Sequence, residues 1–114
     1  MHLVIVESPY AGIDKWEAED NINYARECMR DCLMRGEAPF ASHLLYTQDN
    51  VLDDDVSEER FMGMEAGFAW MEKADLVAIY GDRGISRGMK DGIRRAIKLN
   101  KPLEFRMLYS DDKT

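Results

Sequence analysis

Ala74-Asp75-Leu76-Val77-Ala78-Ile79-Tyr80-Gly81-Asp82-Arg83-Gly84-Ile85-Ser86-Arg87-Gly88 is the stretch that decides the fold. Its first half is a short apolar run of the length and composition of a buried strand. Its second half carries three glycines in eight residues, which lets the backbone turn sharply and approach a ligand closely. Ser86 or a neighbour then caps a helix whose inward residues are Met89, Ile93, Ala96 and Ile97. Lys101-Pro102 ends that helix, and Leu103 to Leu108 reads as a last strand.

On the amino-terminal side the same alternation repeats. Residues 2–6 form a short buried strand, broken by Glu7-Ser8-Pro9-Tyr10-Ala11-Gly12. From about Trp16 to Arg35, Ile22, Ala25, Met29, Cys32 and Leu33 recur at helical spacing, and Gly36 is a natural stop. Pro39 to Tyr46 reads as a second strand, and Thr47 to Val56, with Asp53-Asp54-Asp55, as a polar surface loop. Ser57 reads as an N-cap with Glu58 and Glu59 in the first turn, and Phe61, Met64, Phe68 and Met71 mark the buried stripe of the next helix. Strand and helix alternating with short connections imply an α/β fold. The expected form is a small Rossmann-like or flavodoxin-like three-layer sandwich, with a parallel sheet of four to five strands and right-handed crossovers. Residues 1–114 read as one domain.

The bulk properties exclude several classes. A net charge of −7 argues against a grip on a nucleic-acid polymer, which needs a basic surface. No apolar run approaches the roughly 20 residues that span a bilayer, and Met1–Val6 is too short for a signal segment, so a cytoplasmic location is expected. Cys28 and Cys32 lie four apart on one helix face with no further ligand nearby, so they read as packed thiols; neither a metal nor a cofactor is implied. A chain of 114 residues has little apolar material to enclose a ligand alone, so a homodimer or higher homo-oligomer is expected.

In a parallel sheet of this kind, ligands bind beyond the carboxyl ends of the strands. The segments there are Glu7–Gly12, His43–Gln48 and Gly81–Gly88. The glycine-rich turn before a helix is a ready anion site, with Arg83 and Arg87 adding positive charge; it reads equally as a strand-to-helix turn carrying solvated arginines. Tyr10 could stack on a base or lie on the surface, and a lone His43 reads first as a structural hydrogen-bonder. Cleavage of an N-glycosidic bond passes through an oxocarbenium-like centre and needs a carboxylate near the anomeric carbon. Glu7, Asp82 and Asp91 are the candidates, against the plainer readings that Asp82 braces its loop and Asp91 suits the helix dipole.

Three groups of residues then fall in an ordered series. They are Ser8-Pro9-Tyr10-Ala11-Gly12 with Asn21-Ile22 and Ala25; Gly36, Pro39 and His43; and Ala74-Asp75, Ser86-Arg87-Gly88-Met89, Ala96 and Lys101-Pro102. This series resembles the nucleoside 2-deoxyribosyltransferase-like superfamily, which includes nucleotide N-glycosidases and many phage and bacterial proteins, and it spans nearly the whole chain. The resemblance implies a small-molecule nucleoside or nucleotide as ligand, and transfer or hydrolysis of its N-glycosidic bond. The implied binding set is Ser8, Pro9, Tyr10, Gly12, Asn21, His43, Arg83, Gly84, Ser86, Arg87, Gly88 and Met89, with Ser86 at a phosphate and Asp82 at the base. The superfamily's catalytic glutamate, six residues after that serine, is Gly92 here. Asp91 is adjacent, but one helical step turns a side chain by about 100°. Glu7 stands where the superfamily keeps a small residue and would bring a carboxylate in from the opposite side, and Ile5 replaces a common tyrosine. Two other functions stand beside the enzyme: a non-catalytic binder that senses or sequesters a nucleotide-derived ligand, and an interaction module using Phe68, Trp70 and the Met-rich helix around Met62, Met64 and Met71.

Overall fold

The computed structural model describes residues 1–12 and 14–109. Four parallel strands, β1 (Leu3–Glu7), β2 (Ala38–Phe40), β3 (Leu76–Tyr80) and β4 (Leu103–Arg106), form one sheet in the order β2-β1-β3-β4. Between them run α1 (Lys15–Met34), the single turn α2 (Ser42–Leu45), α3 (Ser57–Lys73) and α4 (Arg87–Lys98). This is the expected α/β sandwich at the lower strand number. Ile5 pairs with Phe40 on one side and with Val77 on the other, so β1 and β3 are central and their ends meet in mid-sheet.

Side chains alternate across a strand, so each central strand feeds two cores. Val4, Val6, Ala78 and Tyr80 pack against Tyr24, Cys28 and Cys32 of α1. Ile5, Val77 and Ile79 face the other way, against Met71 of α3 and Met89 and Ala96 of α4. Both cysteines are free and buried, and burial pushes the Cys28 thiol up to about 12.

Four sequence expectations need correction. The second strand stops at Phe40. The amides of Leu44 and Leu45 donate to the carbonyl of Ala41 at 3.0 and 3.1 Å, closing a helical turn, and Leu44 packs on the first core. His43 therefore sits in α2, not at a strand end. Ser57 is the first residue of α3 and not its cap; Val56 holds the cap position with no side-chain bond. Leu33, Phe61 and Ile97, read as inward, are 56%, 64% and 60% exposed. The buried stripe of α1 is instead centred on Asn21, Tyr24, Ala25, Cys28 and Cys32, one helical step away from Leu33. The stop at Gly36 holds: its φ of +79° is a left-handed conformation that glycine adopts without strain.

One buried charge has no forerunner in the sequence pattern. Arg106, at the end of β4, is 5% exposed and makes a two-pronged bond to Glu37 at 2.7 and 2.8 Å. It also donates to Tyr80 Oη at 3.0 Å and to Glu104 at 2.7 Å. With Cys32 Sγ at 3.5 Å, the planar guanidinium meets five acceptors and joins β4 to β3, to α1 and to the turn after α1.

Candidate functional site

The chain leaves β1 at Glu7 and enters a turn whose first residue, Ser8, is 5% exposed. Ser8 Oγ lies 2.7 Å from His43 Nε2, and the Tyr10 ring meets the His43 ring edge-on with centroids 6.2 Å apart. Burial with no compensating carboxylate pushes His43 down to about 4, so the imidazole is neutral at neutral pH. Asn21, 3% exposed, ties this turn to the one after β3. Its amide nitrogen donates to the carbonyls of Tyr10 and Ala11 at 3.3 and 3.2 Å, and its oxygen accepts from Arg83 Nε at 2.8 Å. Ser86 caps α4, accepting from the Met89 amide at 3.2 Å. The two punctuated turns thus meet at one rim of the sheet.

Between them opens a cleft of about 130 Å³. Glu7, Ser8 and Tyr10 contribute one wall, Ser86, Gly88 and Met89 a second, and a third comes from Phe40 at the end of β2, His43 of α2, Tyr46 just after it, and Met64, Phe68 and Met71 of α3. Phe40 is stacked on its outer side by Trp70 at 5.0 Å, and Trp70 Nε1 donates to Tyr46 Oη at 2.9 Å. Asp54, Glu59 and Arg60 bring charge to the same cleft.

Glu7 points to the α3–α4 side, as its place two residues after Ile5 requires. A Cβ built at Gly92 of α4 would fall inside the Glu7 carboxyl, 2.7 Å from Oε1. Only glycine at 92 leaves room for Glu7. Among the described residues the Glu7 carboxyl has no hydrogen-bond partner, while every fully buried side-chain oxygen or nitrogen has one; its oxygens are therefore not fully buried, and Glu7 lines the cleft. Burial, with the neighbouring Asp91 carboxylate adding to it, pushes Glu7 up to about 8. Asp91 itself pairs with Arg94 at 2.9 Å.

Of the residues singled out from the sequence, Glu7, Ser8, Tyr10, His43, Ser86, Gly88 and Met89 lie together at the cleft. Pro9, Gly12, Asn21, Asp82, Arg83, Gly84, Arg87 and Asp91 lie outside its lining. Gly12 borders a neighbouring hollow with Tyr10 and the acidic segment 49–55. Asp82 accepts from Tyr24 Oη at 2.5 Å and from the amides of Leu108 and Tyr109 at 2.8 and 2.9 Å, so it anchors the chain after β4. Sequence reasoning missed Phe40, Tyr46, Met64 and Phe68 as cleft residues. The spacing of Met64, Phe68 and Met71 was the available signal, but the same stripe also describes a core face, and only the fold shows that its start overlooks the cleft. Among the described residues no group of three or more His, Cys, Asp or Glu is placed to hold a metal, and no helix is long and apolar enough to cross a membrane.

Among solved structures the chain resembles a 2-deoxyribosyltransferase from the psychrotolerant bacterium Bacillus psychrosaccharolyticus. The identity is 17% and the TM-score 0.64, over 98% of this chain and 77% of that one. This is a likeness of fold. No curated protein matches the chain. The profile of one protein family, described as "Domain of unknown function (DUF7768)", matches residues 2–106, and the chain belongs to that family.

Proposed function

We propose that this protein binds a nucleoside or nucleotide in the cleft between its first and third loops and acts on the N-glycosidic bond, with Glu7 supplying the carboxyl group. The observation that carries this reading is the unpartnered Glu7 carboxyl at the rim where both loops converge, in the space that Gly92 leaves free. Phe40, Tyr46 and Tyr10 offer aromatic surface for a base, and Ser8 and the neutral His43 offer polar atoms for a sugar. Ser86 and the first amides of α4 offer a contact for a phosphate. The cleft is small beside the several hundred Å³ usual for ligand sites, so a second copy of the chain covering its mouth belongs to the same reading. Light scattering on the purified protein tests that part, and a strictly monomeric enzyme with full activity would remove it.

The test of the whole is a panel of deoxynucleosides and their monophosphates, with free base measured chromatographically. Base release from at least one of them, lost by about 100-fold or more in Glu7→Gln, is the expected result. A second reading, a binder without catalysis, is favoured by one feature: Gly92 itself carries no carboxylate. Ligand-induced thermal stabilisation with every nucleotide left intact would select it over the enzyme.

A further inference from the structure

We propose that Glu7 works in this cleft as a proton donor to the departing base, so that the substrates are nucleosides with a neutral nitrogen base rather than ribosides of an already cationic pyridinium. This rests on the nucleoside reading of the cleft and goes beyond it by assigning the role of the carboxyl and the class of leaving group.

The argument is one of surroundings. A carboxylate that acts as a nucleophile or ion-pairs with a cationic sugar is normally held charged by hydrogen bonds or by a nearby cation. Glu7 has neither among the described residues. Ser8 Oγ is committed to His43 at 2.7 Å, and Gly92 opposite offers no side chain. Ile5, Met71 and Met89 supply apolar wall. The titratable groups around it do not reverse this. Asp91 from α4 is an anion already paired with Arg94, and His43 from α2 is neutral. At the cleft lining Asp54 and Glu59 bring two negative charges against the one positive charge of Arg60, and the tyrosines are Tyr10 and Tyr46. An unbalanced, enclosed carboxyl keeps its proton, and burial sets Glu7 at about 8. The neutral acid then carries one O–H with no acceptor among the described residues, at the lining of the cleft.

The step balances simply. The Glu7 proton passes to a ring nitrogen of the base as the C1′–N bond breaks, and the bonding pair leaves with the base. Water adds to C1′, and its surplus proton returns to the Glu7 carboxylate. The net reaction consumes one water and yields free sugar and free base. A pyridinium riboside loses its ring with the bonding pair neutralising the ring's own charge, so a donated proton gives it no advantage.

The experiment measures kcat/KM of the 114-residue chain for 2′-deoxyadenosine and for nicotinamide riboside between about pH 5.5 and 9.5, with Glu7→Gln measured beside it. The expected result is cleavage of deoxyadenosine that is flat below about 8 and falls tenfold per pH unit above it. Cleavage falls by about 100-fold in Glu7→Gln with binding retained, and nicotinamide riboside is the poorer substrate by about as much. Cleavage that instead rises with pH to a plateau, or a preference for nicotinamide riboside, overturns the proton-donor role while leaving the cleft assignment standing. Failure of every nucleoside to bind or react overturns the cleft assignment and this inference with it. The wild-type pH profile needs no substitution, so a misfolded variant cannot mask the outcome.

Discussion

Glu7 and Gly92 share one volume: the carboxyl of the first, at the end of β1, fills the space a side chain at the second, on α4, would need. The carboxyl is the far end of a flexible side chain, so it and not the backbone gives way when the space is contested. Gly92→Ala is therefore expected to expel the Glu7 carboxyl while leaving the fold intact. Replacing a helix-interior glycine contributes about 0.5–1 kcal/mol to stability, so the melting temperature stays level or rises. Base release drops by at least tenfold. Calorimetry and the base-release assay on one sample check both halves, and a variant with full activity contradicts the shared-volume account.

Stability carries the mark of Glu7 as well. Its folded-state value of about 8 lies above the ordinary 4.5, so the folded state holds a proton that the unfolded chain gives up between those values. Stability from this group is fully present below about 4.5 and is lost as pH rises toward 8. His43 opposes it only below 6.5, where the unfolded chain takes up a proton that the folded one refuses until about 4. Between 6.5 and 8 Glu7 acts without that opposition. Glu7→Gln is expected to melt higher than the parent by a margin that widens across this window, read by thermal denaturation at fixed ionic strength. A constant margin would show that the carboxyl is not held protonated.

Asp82 separates a brace from a catalyst. It accepts three hydrogen bonds, two of them from the amides of Leu108 and Tyr109. Asp82→Ala leaves those donors without their partner and is expected to cost about 1–3 kcal/mol, with faster amide exchange at 107–109. Nucleoside binding should change by less than about threefold after correction for the unfolded fraction. Loss of binding in a folded protein would move Asp82 into the site.

The Arg106 cluster predicts an asymmetric pair of results. Glu104 is half-exposed and shares a single short bond with Arg106, so Glu104→Gln should cost no more than about 1 kcal/mol. Arg106→Met leaves the Glu37 carboxylate without its cation, while the Tyr80 hydroxyl keeps its bond to Asp31 at 2.8 Å, and about 3 kcal/mol or more is expected. Urea denaturation of the two variants reads both.

Much of this arrangement was legible in the sequence, and the parts that were not share a cause. The apolar run 74–80 and the turn 81–88 announce a strand feeding a capped helix, because strand composition, glycine and an N-cap serine are local signals. The convergence of the loops at residues 8–10 and 86–89 follows from alternation alone. The placement of His43 escaped because Phe40, Leu44 and Leu45 fit a short strand until the Ala41 carbonyl closes a turn. The third wall of the cleft escaped because Met64 and Phe68 follow core spacing whether they meet a sheet or a hollow. The burial of Arg106 escaped because its partner Glu37 lies across the sheet, and nothing local links the two. Glu7 was legible only as a carboxylate in an unusual place; that Gly92 makes room for it is a long-range fact.

The most direct measurement is a crystal structure of Glu7→Gln soaked with 2′-deoxyadenosine. The account predicts the sugar lodged between Ser8 and Ser86, the base against Phe40 and Tyr46, and the C1′–N bond facing the residue-7 amide within hydrogen-bonding reach of the base. A nucleoside seated in the acidic hollow beside Asp49–Asp55, or with its glycosidic bond turned away from residue 7, would contradict it.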